Sequence, residues 1–202
     1  MTSDGNSYFD RRRRFVQALY GLNAALSQEG PAVAKARQKL AKLRRSFSGP
    51  QREVEAYSIV FPFDPPAAEQ RAWLLVAGLF ALHPQPPTAR WRSVGGAMQV
   101  LAAGGRGDPA RRRLEQLLSV GGRDLPHYLR QVMTLLRSAE ITLDFHMLLD
   151  DLVVLLSHEF TADAAHTVRL RWARDFYRPQ RPARGTDQSD TPAAASAEPA
   201  TA

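Results

Sequence analysis

The chain has 202 residues, a formal net charge of +7 at pH 7, a sequence pI near 10.3 and no cysteine. That length suits one sizeable domain or two small helical ones, and the basic balance points toward polyanionic partners. The missing cysteines exclude disulfides, thiolate metal sites and a cysteine nucleophile, and they fit a reducing compartment.

The opening Met1-Thr2-Ser3-Asp4-Gly5-Asn6 lacks the apolar stretch of a signal peptide. Ser7 is placed to cap a first helix running to about Glu29, with Phe15, Leu19, Leu22 and Leu26 along one face and Gly30 closing it. From Pro31 a second helix follows, with Val33, Ala36, Leu40, Leu43 and Phe47 recurring at alternating spacings of three and four, and Gly49-Pro50 stopping it. A short segment from Arg52 to Val60 leads into Phe61-Pro62-Phe63-Asp64-Pro65-Pro66, which must be extended or turning. The stretch Ala67 to Leu82 is apolar almost all round in its second half and belongs in a core. Its apolar run from Ala72 to Leu82 is too short to span a bilayer, so the chain reads as soluble and cytoplasmic, with no membrane partner.

After a Pro-rich break from His83 to Pro87, Thr88 to Ala103 reads as a helix interrupted at Gly95-Gly96. Gly104-Gly105-Arg106-Gly107 is the internal hinge. Asp108 and Pro109 then open a helix through Val120, and Gly121-Gly122 ends it. Another runs from Asp124 to about Ala139 with Leu125, Leu129, Val132, Leu135 and Leu136 apolar; further helices cover Asp144 to Glu159 and about Asp163 to Tyr177. No segment alternates as a strand does. The predicted fold is all-α: an N-terminal helical lobe over residues 1–105, a C-terminal helical bundle over 106–178, and a tail over 179–202 without a large apolar residue, expected to be disordered.

The residues that carry chemistry are mainly cations. Lys35, Arg37, Lys39, Lys42, Arg44 and Arg45 surround the second helix's apolar stripe, and no acid occurs between Pro31 and Gly49. A helix face made only for solubility mixes both signs, so this one points to a polyanion. Basic groups recur at Arg11 to Arg14, Arg90 and Arg92, Arg111 to Arg113, Arg130 with Arg137, and Arg169, Arg171 and Arg174. Such a spread suits a track along nucleic-acid backbone, independent of base identity. Arg112 and Arg113 equally suit pairing with Asp150 or Asp151. His158, Glu159 and His166 lack the spacing of a metal site, and no nucleophile, phosphate-cradling loop or cofactor motif is present, so neither enzyme activity nor a cofactor is expected. Trp73 and Trp172 fall in register with core positions, whereas Trp91 suits either lobe packing or contact with a base or partner protein.

Several segments, in order, resemble the CasB family, the small subunit of the type I-E CRISPR Cascade complex. They are Ala41-Lys42-Leu43-Arg44-Arg45, the apolar run Trp73 to Pro84, Arg112 to Leu118, Leu129 to Ser138, Ile141 to Asp144, Leu149 to Leu152, and Trp172 to Tyr177. The resemblance spans about residues 8 to 178, with Leu114 standing where the family often has Phe. It implies a two-lobed, all-helical, non-catalytic protein, two copies to a complex. The partners it implies are the large subunit, the repeated backbone subunits, and guide RNA with target DNA, including the displaced strand. Carried over, it makes Arg44 and Arg45 the first candidates for nucleic-acid contact, then Lys42 and Lys39, then Arg111, Arg130, Arg137, Arg169 and Arg171. The alternative is a pure scaffold whose arginines meet acidic surfaces of neighbouring subunits; no compact helix-turn-helix supports a DNA-reading regulator.

Overall fold

The computed structural model describes residues 4–88, 91–157 and 159–178, with side chains from residue 8 onward. The chain runs through α1 (Asp4–Ala25), α2 (Pro31–Arg45), α3 (Pro50–Val60), α4 (Gln70–Leu82), α5 (Val94–Leu101), α6 (Gly107–Ser119), α7 (Leu125–Ser138), α8 (Phe145–Leu156) and α9 (Ala162–Tyr177). Among the described residues there is no strand, and the fold is all-α. The tail at 179–202, Arg90 and His158 lie outside the described residues.

Local chemistry accounts for most of the boundaries. Pro31 sits in the first turn of α2 behind Gly30, whose φ of 81° turns the chain into the helix. Side-chain oxygens of Ser93, Asp144 and Thr161 accept the otherwise unpaired N–H groups of Gly96, His146 and Ala164 at the starts of α5, α8 and α9. Several expected ends move. The first helix begins at Asp4 and stops at Ala25, where turn hydrogen bonds to the carbonyls of Asn23 and Ala24 replace the helical ladder. Helix α6 starts at Gly107, so Asp108 lies inside its first turn and does not cap it. Helix α8 closes at Leu156.

Helix α4 occupies the centre. Ala72, Trp73 and every residue from Leu75 to Ala81 are buried, and α2, α3, α7 and α8 pack around it. Trp73 stacks on Phe15 of α1 at 4.6 Å, and its indole N–H donates to Glu69 at 3.0 Å. Burial of each large apolar side chain here contributes about 1.5–3 kcal/mol. Buried side chains on both sides of residue 105 join in one apolar cluster, from Phe15 and Leu43 to Leu129, Leu152 and Trp172. Between α5 and α6 the backbone kinks at Gly104 and Gly105, the latter at φ 91°.

The expected helix from Thr88 is not there: α5 begins at Val94, the described residues before it are not helical, and Gly95-Gly96 form its first turn and do not interrupt it. Gly95 serves packing instead, because α9 crosses α5 so closely that a Cβ there would land on the Trp172 carbonyl. At Gly96 the nearest atom to an added Cβ is the flexible Arg92 side chain at 3.4 Å. Gly95→Ala is therefore expected to lower stability by about 1–3 kcal/mol through overpacking, whereas Gly96→Ala should hold or raise it. Thermal unfolding of the two variants checks the contrast; equal midpoints would contradict the close crossing.

Candidate nucleic-acid interface

Helix α2 buries Ala36, Leu40 and Leu43 and leaves Arg37, Lys39, Arg44 and Arg45 exposed, with Lys42 half-buried. Cations in its last turn also complement the negative end of the helix dipole. The exposed arginines then part company. Arg45 turns to Glu55 of α3, with Nη2 2.6 Å and Nε 3.1 Å from one carboxylate oxygen, while Arg52 takes the other oxygen at 3.1 Å. Hydrogen bonds from Arg45 and Arg52 hold the Glu55 carboxyl below the usual carboxylate range. The acid-free run of α2 thus acquires an acid from the next helix. Among the described residues, Lys39, Lys42 and Arg44 have no carboxylate partner.

Arg44 and Arg37, two turns apart on α2, face Arg137 of α7 across a cleft of about 820 Å³ at the C-terminal end of α4. Arg137 Nη1 donates to the Leu82 carbonyl at 3.2 Å, satisfying one of the acceptors that a helix end leaves unpaired. The chain then passes His83, Pro84 and Gln85 along the cleft wall. The His83 ring is buried, with Nε2 2.9 Å from the Ile141 carbonyl. Burial, helped by the nearby Arg137 charge, holds His83 below the usual histidine range against the opposing pull of that hydrogen bond, so the ring is neutral near pH 7. Gln85 Oε1 accepts the Leu143 N–H at 2.9 Å, and its buried Nε2 has no partner among the described residues. Helix α7 ends with Glu140 at φ 54°, where the Ile141 N–H reaches back to the Leu136 carbonyl at 2.9 Å. Glycine is usual at that position, and a glutamate there costs about 1–2 kcal/mol.

The other predicted cations spread over the surface. Arg130 lies 4.8 Å over the Phe47 ring, beside the end of α2. Arg111 is exposed on α6 without a described partner. Arg169 Nη2 donates to the Val120 carbonyl at 3.1 Å. Arg171 pairs with Asp151, which is 2% exposed and also accepts the Trp172 indole N–H at 2.6 Å. Asp150 meets Arg12 at 2.9 Å, and Arg12 also forks onto Glu69. Arg112 and Arg113 therefore do not take the Asp150 and Asp151 positions: α8 faces α1 and α9, while α6 packs on α5, α7 and α9. Arg113 instead donates to Gln131 at 2.5 Å.

Trp73 and Trp172 are fully buried, whereas Trp91 is 86% exposed and lines a hollow with Phe9 and Arg13, so lobe packing does not explain it. Among the described residues no group of His, Asp and Glu gathers as metal ligands, and no helix is long and apolar enough to cross a membrane.

The family model for CRISPR-associated protein Cse2 matches residues 39–177. The chain belongs to the Cse2 family. Among solved structures it is similar to CasB from Thermus thermophilus, at 28% identity and a TM-score of 0.61, covering 82% of this chain and 97% of that one. It is also similar to CasB from M. ruber, at 25% identity and a TM-score of 0.60, covering 83% and 93%. A chain of a CRISPR RNA-guided surveillance complex shares the fold at 20% identity and a TM-score of 0.61, covering 85% and 93%. None of the curated proteins matches the chain. These likenesses agree with the CasB resemblance of the ordered motifs.

Two cleft residues of this Cse2 chain were not among the predicted contacts. Arg37 was legible, since it stands seven residues before Arg44 on the same helical face. Gln85, in a Pro-rich break, carried no pattern. A histidine held neutral by burial contributes stability above its ordinary pKa near 6.5 that is lost as pH falls toward its lowered folded value. Stability should thus drop between about pH 7 and about pH 5, and His83→Gln should shrink that drop. Denaturant midpoints at the two pH values test this; an undiminished drop in the variant contradicts it.

Proposed function

We propose that the chain is a non-catalytic subunit of a CRISPR RNA-guided surveillance complex, present in two copies beside the large subunit and the repeated backbone subunits. Its basic surface grips nucleic-acid backbone, steadying the hybrid of guide RNA and target DNA and giving the displaced DNA strand a path. The observation that carries this reading is the convergence of Arg37, Arg44 and Arg137 on one cleft where, among the described residues, Glu140 is the one carboxylate in the lining. A related fold in a chain of such a complex supports the setting. Exchange of a DNA duplex for a hybrid is nearly balanced in free energy, so a few backbone contacts suffice to tip it.

On this reading the track starts in the N-terminal lobe, residues 1–105, at Lys39, Lys42, Arg44 and the added Arg37. It continues into the C-terminal lobe, residues 106–178, through Arg130 and Arg137 and then Arg111 and Arg169. Arg45 and Arg171 already hold carboxylates of their own chain and must exchange them for phosphate, so their share is smaller.

Arg44→Ala combined with Arg137→Ala is expected to leave the complex assembled, weaken target DNA capture and reduce the slope of log K against log salt by about one to two. Arg45→Ala with Arg171→Ala should change that slope less. Binding of labelled target by the assembled complex across a salt series reads both. Loss of the Arg44 and Arg137 double variant from the complex would favour a pure scaffold, and unchanged binding at every salt would defeat the contact assignment.

A further inference from the structure

We propose that the hollow between α1 and the start of α8 is a stacking site for an unpaired base of the bound strand, with the base on the Trp91 indole and the adjoining phosphate on Arg13. This rests on the nucleic-acid reading above and adds to its backbone contacts a site of another kind, one that holds bases by their faces. Trp91 and Phe9, 86% and 65% exposed, both line the hollow, whose volume is about 510 Å³. A ring as large and apolar as an indole is seldom left in water without a partner to cover it. The residue after it is held firmly: the Arg92 carbonyl accepts the Asp144 N–H at 2.9 Å, and Arg92 Nη1 donates to the Thr142 carbonyl at 3.0 Å. The backbone that carries the indole is thus pinned to the segment before α8, while the ring projects into water.

Charge and position select a base over a protein side chain. Both carboxylates lining the hollow are engaged, Asp150 by Arg12 and Asp144 by the N–H groups of His146 and Met147 that it caps. Arg13 is exposed in the same lining and has no carboxylate partner among the described residues, so the charge left over is positive. The hollow also continues the basic cleft. Helix α1 lines both, with Arg13 at the hollow and Asn23 at the cleft about 15 Å apart along its axis. Thr142 lines the cleft and Asp144 the hollow, so one short segment forms part of the rim of each. A few nucleotides of extended strand cover that span, with phosphates on the cleft arginines and a base on Trp91. Every base has a π-face, so the site ignores base identity; in a duplex those faces are already covered by neighbouring pairs. The hollow therefore takes single strand, through a contact that salt does not screen.

The test titrates the full chain, across a salt series, with a thymidylate strand of about fifteen residues and with an abasic strand of the same length and charge. Because Trp73 and Trp172 are fully buried, the solvent-exposed part of the tryptophan emission belongs to Trp91, and a stacked base should quench it. The abasic strand should bind about tenfold more weakly and leave that emission unquenched. Trp91→Ala, a surface change that the fold tolerates, should weaken thymidylate binding about tenfold at every salt without changing the slope of log K against log salt, and should bind the two strands alike. Arg13→Ala should instead reduce the slope by about 0.7. Equal binding of the two strands by the unaltered chain, an unquenched Trp91, or unaltered binding by Trp91→Ala would each overturn the site. Loss of Trp91→Ala from the assembled complex with strand binding intact would make the hollow a protein-docking surface instead. If the stacking site fails while the Arg44 and Arg137 double variant still reduces the salt slope of target capture, the nucleic-acid reading survives; if that slope is unchanged too, both fail.

Discussion

A helix that is apolar on nearly every side has to be surrounded, and α4 is such a helix. With Trp73 and the run from Leu75 to Ala81 all withdrawn from water, α2, α3, α7 and α8 are obliged to pack around it. That single demand brings residues distant in sequence to one place. It draws the outer face of α2 toward the last turn of α7 at the point where α4 ends, and Arg137 reaches the Leu82 carbonyl there. The cleft exists because a buried helix must stop, and its last acceptors must be met by something polar. The groups available to meet them are cationic.

Charge in this protein is consequently uneven in its availability. Arg12, Arg45 and Arg171 are tied to Glu69 and Asp150, to Glu55, and to Asp151. Arg45–Glu55 lies at the surface, whereas Arg12–Glu69 and the Asp151 carboxylate are largely withdrawn from water, and each pair lowers the positive field at its own position. On α2, Arg37, Lys39, Lys42 and Arg44 carry no carboxylate partner among the described residues, and the same holds for Arg130 and Arg137 on α7 and for Arg111 on α6.

Periodicity made the inner side of the fold legible. The α2 stripe, the enclosure of α4 and the burial of Trp73 and Trp172 follow from hydrophobic spacing, because burial is a property of each residue and its helical neighbours. What spacing could not show were the pairings. Arg45 meets Glu55 only because α3 folds back beside α2, and Asp151 meets Arg171 only because α9 returns across α8. Gly95 looked like part of a helix breaker in one dimension and proved to be room for a neighbour in three. Likewise, Arg44 stood out from its own charged helix, while Gln85 is placed by the N–H of Leu143, nearly sixty residues away.

The buried Asp151 has a bearing on the order in which the chain completes itself. Both of its partners, Arg171 and the Trp172 indole, belong to α9, which follows α8 in the chain. Until they arrive, that carboxylate must stay hydrated, and the side of α8 that carries it cannot close. The glycine surface of α5 waits for the same helix. In vectorial synthesis the polar seam on α8 and the glycine face of α5 therefore stay open until α9 has emerged.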